Sequence, residues 1–116
     1  MRGNHNAFAL GRLRTGQMNA TEIEYDAVLD GLKHHGEVAW YKFEGVKLRL
    51  ADNTFYTPDF FVMLADGTLE CREVKGHWQD DARAKIKIAA ALYPFDFIAV
   101  KKQPKKAGGG FAEERF

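Results

Sequence analysis

Tyr56-Thr57-Pro58-Asp59-Phe60-Phe61-Val62-Met63-Leu64-Ala65-Asp66-Gly67-Thr68-Leu69-Glu70-Cys71-Arg72-Glu73-Val74-Lys75-Gly76 reads as two extended segments joined by a tight turn at Asp66-Gly67. Side chains alternate along a strand with period two, so Glu73 and Lys75 share one face and Val74 takes the other. Turn length decides whether Asp59 joins them. A three-residue loop, Ala65-Asp66-Gly67, with glycine in the left-handed conformation, pairs Leu64 with Thr68 and sets Asp59 opposite Glu73 on one face. A two-residue Asp66-Gly67 loop pairs Ala65 with Thr68, sets Asp59 opposite Val74, and splits the two carboxylates between faces. Any joint role for the two acids requires the longer loop or a bulge.

Two neighbouring carboxylates repel unless a cation lies between them, and oxygen ligands suit hard ions such as magnesium or manganese. An ion so held lowers the pKa of a bound water and neutralises charge on a phosphate. Lys75, beside that pair, is placed to orient the attacking water or to stabilise a pentavalent transition state. Acid, acid and lysine together point to phosphodiester cleavage. The structural alternative is that Pro58-Asp59 merely opens a strand and Glu73-x-Lys75 decorates a solvated strand face.

On these residues the chain resembles the PD-(D/E)XK nuclease superfamily. In order and spacing it is similar to small phage-encoded members related to the Holliday-junction resolvases of the phage endonuclease I type. The resemblance spans Asn19 to Val100. It rests on Glu22 or Glu24 in a first helix, on Tyr56-Thr57-Pro58-Asp59-Phe60, on Glu73-Val74-Lys75-Gly76, and on a following helix with Asp81-Ala82-Arg83-x-Lys85. It implies an α/β restriction-endonuclease-like core, a central mixed β-sheet flanked by helices in the order α-β-β-β-α-β. It further implies a magnesium- or manganese-dependent endonuclease hydrolysing DNA, structure-specific for branched or junction substrates in phage recombination or processing. Asp59 and Glu73 would be direct metal ligands, the Val74 carbonyl a third, Lys75 the catalytic cation, and a helix acid would assist through water. Helical geometry barely separates Glu22 from Glu24. The family places its acid in the first helical turn shortly before an aromatic, as in Thr21-Glu22-x-x-Tyr25, which selects Glu22; the same residue also completes a capping box with Asn19. Coordinated cutting of a junction implies a homodimer. Two other classes compete: a nucleic-acid-binding module whose acids only stabilise the fold, and an interaction protein working through its aromatic C-terminus.

Length and composition suit one compact domain: 116 residues, 46% hydrophobic and 28% charged. A lone cysteine, Cys71, cannot form an internal disulfide, and there is neither an apolar run of membrane-spanning length nor a signal-like N-terminus, so a cytoplasmic protein with no membrane partner is expected. Net charge is only +1, but it is unevenly spread. Arg2, Arg12 and Arg14 precede any acid, Lys101, Lys102, Lys105 and Lys106 crowd the end, and Glu22, Glu24, Asp26 and Asp30 gather between. Basic surface beside an acidic pocket suits a polyanionic partner. The expected nucleic-acid contacts are Arg12 and Arg14, Lys85, and Trp78 as a base-stacking ring, although Lys85 also reads as a snorkelling helix lysine and Trp78 as a core cover.

Residues 1–18 read as a flexible basic arm, 19–100 as the nuclease core, and 101–116 as a glycine-rich basic tail or edge strand. The first helix is expected from Asn19 or Thr21 to Gly36, with Tyr25, Val28, Leu29 and Leu32 inward. Strands are expected over Val38–Glu44, Val46–Leu50 and the two arms of the Pro58–Lys75 hairpin, with Ala51-Asp52-Asn53 a turn. A second helix runs from Asp80 or Asp81 to about Leu92, and Phe95–Val100 is a short apolar strand. On the hairpin, Phe61, Met63, Leu69 and Cys71 share the acids' face and should enter the core. Phe60, Val62, Leu64, Thr68, Glu70, Arg72 and Val74 lie on the other face, expected to be only partly covered.

Overall fold

The computed structural model describes residues 16–75 and 80–116, with side chains resuming at 82. The order is α1 (Ala20–His34), β1 (Val38–Phe43), β2 (Leu48–Ala51), β3 (Thr54–Tyr56), β4 (Phe60–Leu64), β5 (Leu69–Lys75), α2 (Asp80–Leu92), β6 (Asp96–Lys102) and β7 (Phe111–Arg115). Five strands form one mixed sheet in the order β1-β4-β5-β6-β7, and β2 pairs with β3 in a separate ribbon. Only β5 and β6 run parallel, joined through α2. A parallel pair needs such a crossover, because a tight turn can only reverse the chain.

The turn between β4 and β5 takes the longer form. Gly67 has φ +90°, its N–H donates to the Leu64 carbonyl at 2.9 Å, and the Leu64 N–H donates to Thr68 at 2.8 Å. Asp66 Oδ1 accepts the Thr68 N–H at 2.9 Å and fastens the loop. Phe60 then pairs with Arg72, Phe61 with Cys71, Val62 with Glu70 and Met63 with Leu69. One step further along this register, Asp59 stands opposite Glu73.

Both faces of the sheet are covered. Tyr25 and Leu29 of α1 pack on Val38, Phe60, Val62, Val74, Ile98 and Val100. On the other face Ile86 and Ala89 of α2, with Leu48 and Tyr56 of the small ribbon, enclose Cys71 and Phe97. Helix α1 begins at the Asn19 capping box, with Glu22 N–H donating to Asn19 Oδ1 at 2.8 Å and Asn19 N–H to Glu22 Oε1 at 2.9 Å. Among the described residues no helix is long and apolar enough to cross a membrane.

Two expectations are corrected. The order α-β-β-β-α-β holds four strands where the described residues form seven: the hairpin arms count as two, β3 is only three residues long and too short to show a period, and the tail's last residues form β7, the edge strand that was one of their two expected readings. The face bearing Glu70 and Arg72 is not half-solvated, since these residues are 2% and 6% exposed. Arg72 donates to Glu70 and to the Tyr25 hydroxyl, so its charge is matched under α1 instead of being hydrated. Burial of a charge is tolerated when it is paired and hydrogen-bonded.

Candidate active site

Each acid reaches the site through a different piece of backbone. Asp59 precedes β4, where buried Pro58 anchors the chain and the Asp59 carbonyl accepts the Glu44 N–H at 2.7 Å. Glu44 has φ +50°, and at the adjoining Gly45 a Cβ would meet Lys42 at 3.0 Å and Phe61 at 3.2 Å, so the tight exit from β1 that delivers this N–H needs glycine. Glu73 and Lys75 lie at the carboxyl end of β5, beside parallel β6. Crevices outside the carboxyl ends of parallel strands are the usual ligand sites of α/β sheets.

Asp59 Oδ2 accepts the Val74 N–H at 2.8 Å, closing the gap between β4 and β5. A residue's N–H and C=O leave an extended strand on the same side, so the Val74 carbonyl also faces the Asp59 edge. Glu73 is 8% exposed, and both its oxygens are engaged. The Tyr56 hydroxyl donates to Oε1 at 2.7 Å, and the Lys75 ammonium lies 3.1 Å from Oε2. Burial, then the charge of Glu73, pushes the Asp59 carboxyl up to about 8; the Val74 N–H opposes this, while the charge of Glu22 and a hydrogen bond shared with it add to it. The Tyr56 hydroxyl is held well above its ordinary value by burial and by the charges of Glu73 and Asp59.

Glu22 therefore does two things at once. It caps α1 and it meets Asp59, whereas Glu24 turns to β6 and pairs with Lys102 at 2.8 Å. Asp59, Glu73, Lys75 and Glu22 come together, with the Val74 backbone beside them. Lys85 stands at the rim: its ammonium donates to the Phe55 carbonyl at 3.2 Å, one residue before Tyr56. Arg12, Arg14 and Trp78 lie outside the described residues. Tyr56 is the participant that sequence reasoning missed. It appeared only as part of the Tyr56-Thr57-Pro58-Asp59 run, and its hydroxyl's target, 17 residues away, depends on how β3 packs over the sheet.

Among the described residues no three His, Cys, Asp or Glu side chains are arranged to hold one ion together. Magnesium does not require this, since it commonly takes one or two carboxylates, keeps several waters and completes its shell with substrate phosphate. Two carboxylates and a backbone carbonyl form an all-oxygen donor set, and the unfavourable ionisation of Asp59 is what a divalent charge there would relieve. The residues present fit a hard divalent cation.

The fold and site thus define an α/β protein with a mixed five-stranded sheet and an acidic cluster with one lysine at a parallel-strand end. Compared with protein-family models, with curated proteins and with solved structures, the chain matches none.

Proposed function

We propose that the protein is a magnesium- or manganese-dependent endonuclease acting on DNA, with a restriction-endonuclease-like core. One observation carries the reading: Asp59 and Glu73 share a face across the β4–β5 register, with Lys75 on Glu73 and Glu22 against Asp59. A bound divalent cation supplies Lewis acidity there, activating water near neutral pH and offsetting phosphate charge. Asp59, Glu73 and the Val74 carbonyl would hold it. The Val74 N–H and the Tyr56 hydroxyl hold the two carboxylates in place before substrate arrives, so little reorganisation is left for the reaction. Lys75 donates to the oxygen on which charge grows as water attacks phosphorus and the bond to the leaving sugar oxygen breaks. Glu22 orders a water against Asp59. The substrate is branched or junction DNA, cut in pairs by a homodimer.

One observation favours a second reading, a nucleic-acid-binding module that does not cut. Both Glu73 oxygens already have partners, as in a carboxylate kept for structure alone. The deciding experiment incubates purified protein with supercoiled plasmid and with a four-way junction, in magnesium, manganese or EDTA. Metal-dependent nicking or resolution by wild type, lost in Glu73→Gln, supports the nuclease. Binding without cutting in either metal, or equal cutting by Glu73→Gln, removes it.

A further inference from the structure

Beyond the carboxylates, the same end of the sheet carries a second charged feature. Strands β5 and β6 are parallel with Lys75 beside Lys101, so the loop after β6 leaves the sheet at the end where Glu73 and Lys75 lie. Residues in register on neighbouring strands present side chains to the same face, about 4.8 Å apart. Lys101 thus stands on the acids' face, one strand over from Lys75. Lys102, its neighbour in sequence, takes the opposite face and is paired with Glu24 of α1.

The chain then turns through Lys105–Ala107, a single 3-10 turn, and returns through Gly108, Gly109 and Gly110 at φ +102°, +66° and +68°. Gln103 N–H donates to the Gly110 carbonyl at 2.9 Å, closing the base of the loop. Three successive left-handed residues strongly favour glycine, so the sequence specifies this turn's shape. From Phe97 to Ala112 there is no acid and there are four lysines. Lys101, Lys105 and Lys106 are exposed, and among the described residues none of them forms an ion pair, in contrast to Lys102.

We propose that the β6–β7 hairpin is a phosphate-binding element, gripping the backbone of duplex DNA with Lys101, Lys105 and Lys106 beside the acidic site. A preformed loop of ammonium groups, unneutralised by neighbouring acids, binds a polyanion by releasing its counterions. The direction of β6 sets that backbone in line with Lys75. The choice of DNA rests on the nuclease reading; the phosphate grip itself does not.

The test measures affinity by fluorescence anisotropy for a labelled DNA duplex and the matching RNA duplex, in EDTA, over a salt series. EDTA separates this proposal from the nuclease reading: a wild type that binds through the hairpin in EDTA yet cuts in neither magnesium nor manganese sinks that reading and keeps the grip. The triple variant Lys101→Ala/Lys105→Ala/Lys106→Ala should bind DNA at least about tenfold more weakly, with a log–log salt slope shallower by roughly 2 to 3, about 0.9 per lost phosphate contact. Lys102→Ala, whose charge is matched by Glu24, should keep the wild-type slope. All three substituted lysines are exposed, so an unchanged thermal melt is expected of the triple variant. Wild-type affinity and slope in a folded triple variant overturn the proposal, and so does a loss confined to the RNA duplex.

Discussion

Strand β5 buries charge on both of its faces, and the two faces treat it differently. Toward α1, Glu70 and Arg72 neutralise one another, the Tyr25 hydroxyl takes a further Arg72 N–H, and Glu113 stands 3.7 Å away. Toward the small ribbon, Glu73 and Lys75 form a similar pair, but Asp59 and Glu22 bring two more carboxylates that no cation among the described residues pairs with. A balanced buried cluster is a structural solution. An unbalanced one, holding a carboxyl up to about 8, keeps that acid protonated near neutral pH until a ligand of opposite sign favours its ionisation. Under the proposed function, the same strand serves stability on one side and chemistry on the other.

The largest effects should separate the faces cleanly. Lys75→Ala, Glu73→Gln and Asp59→Asn should each lower metal-dependent cleavage about 100- to 1,000-fold while leaving the domain folded. Arg72→Ala should instead cost about 3–5 kcal/mol of stability, because Glu70 is left buried and unpaired, whereas Glu70→Leu with Arg72→Met should recover most of it. Urea melts and cleavage rates on the same preparations check this. If Arg72→Ala is stable but inactive, the division of labour is wrong.

Titration sharpens the contrast. In the folded protein Asp59 keeps its proton up to about 8, whereas the unfolded chain loses it near the ordinary 3.8. The native state therefore binds more protons between these values, and this group's contribution to stability falls as pH rises from about 4 to about 8. Asp59→Asn should flatten that decline and, in EDTA, lose less stability than wild type does between pH 5 and pH 9. Magnesium should stabilise wild type more at pH 8.5 than at pH 5.5, since ligation requires the proton to leave. Identical pH profiles for wild type and Asp59→Asn would show that the carboxyl is ionised throughout.

Smaller effects follow at the periphery. Tyr56→Phe removes a hydrogen bond to a buried carboxylate and should cost about 1.5–3 kcal/mol, together with roughly tenfold in cleavage as Glu73 loses its fixed orientation. Lys85→Ala should weaken DNA binding no more than a few-fold and leave the rate on bound substrate unchanged, because its ammonium lies at the rim.

What could be read in advance was whatever depends on local chemistry. The Asn19 to Glu22 spacing marks the start of α1, and the Ala65-Asp66-Gly67 loop sets the pairing that puts Asp59 across from Glu73. Arg72 misled because an arginine on an alternating strand suggests solvent, while the groups that allow its burial include Tyr25, 47 residues earlier in the chain. Tyr56 was hidden for the same reason. The choice between Glu22 and Glu24 needed the tertiary fold, since only the packing of α1 turns one to Asp59 and the other to Lys102.

The Gly67 turn has a consequence for how such a chain can vary over generations. Loss of one loop residue between Leu64 and Thr68 leaves a two-residue turn that can close on the same pair, so Asp59 stays opposite Glu73, whereas loss of one residue inside β5, between Leu69 and Glu73, turns every later position of the strand over and puts Glu73 and Lys75 under α1. Removing or adding two would keep the alternation. Insertions and deletions are thus filtered by where they fall: descendants can change the length of the exposed loop and keep the alternation, while an odd step inside β5 turns the rest of the strand inside out.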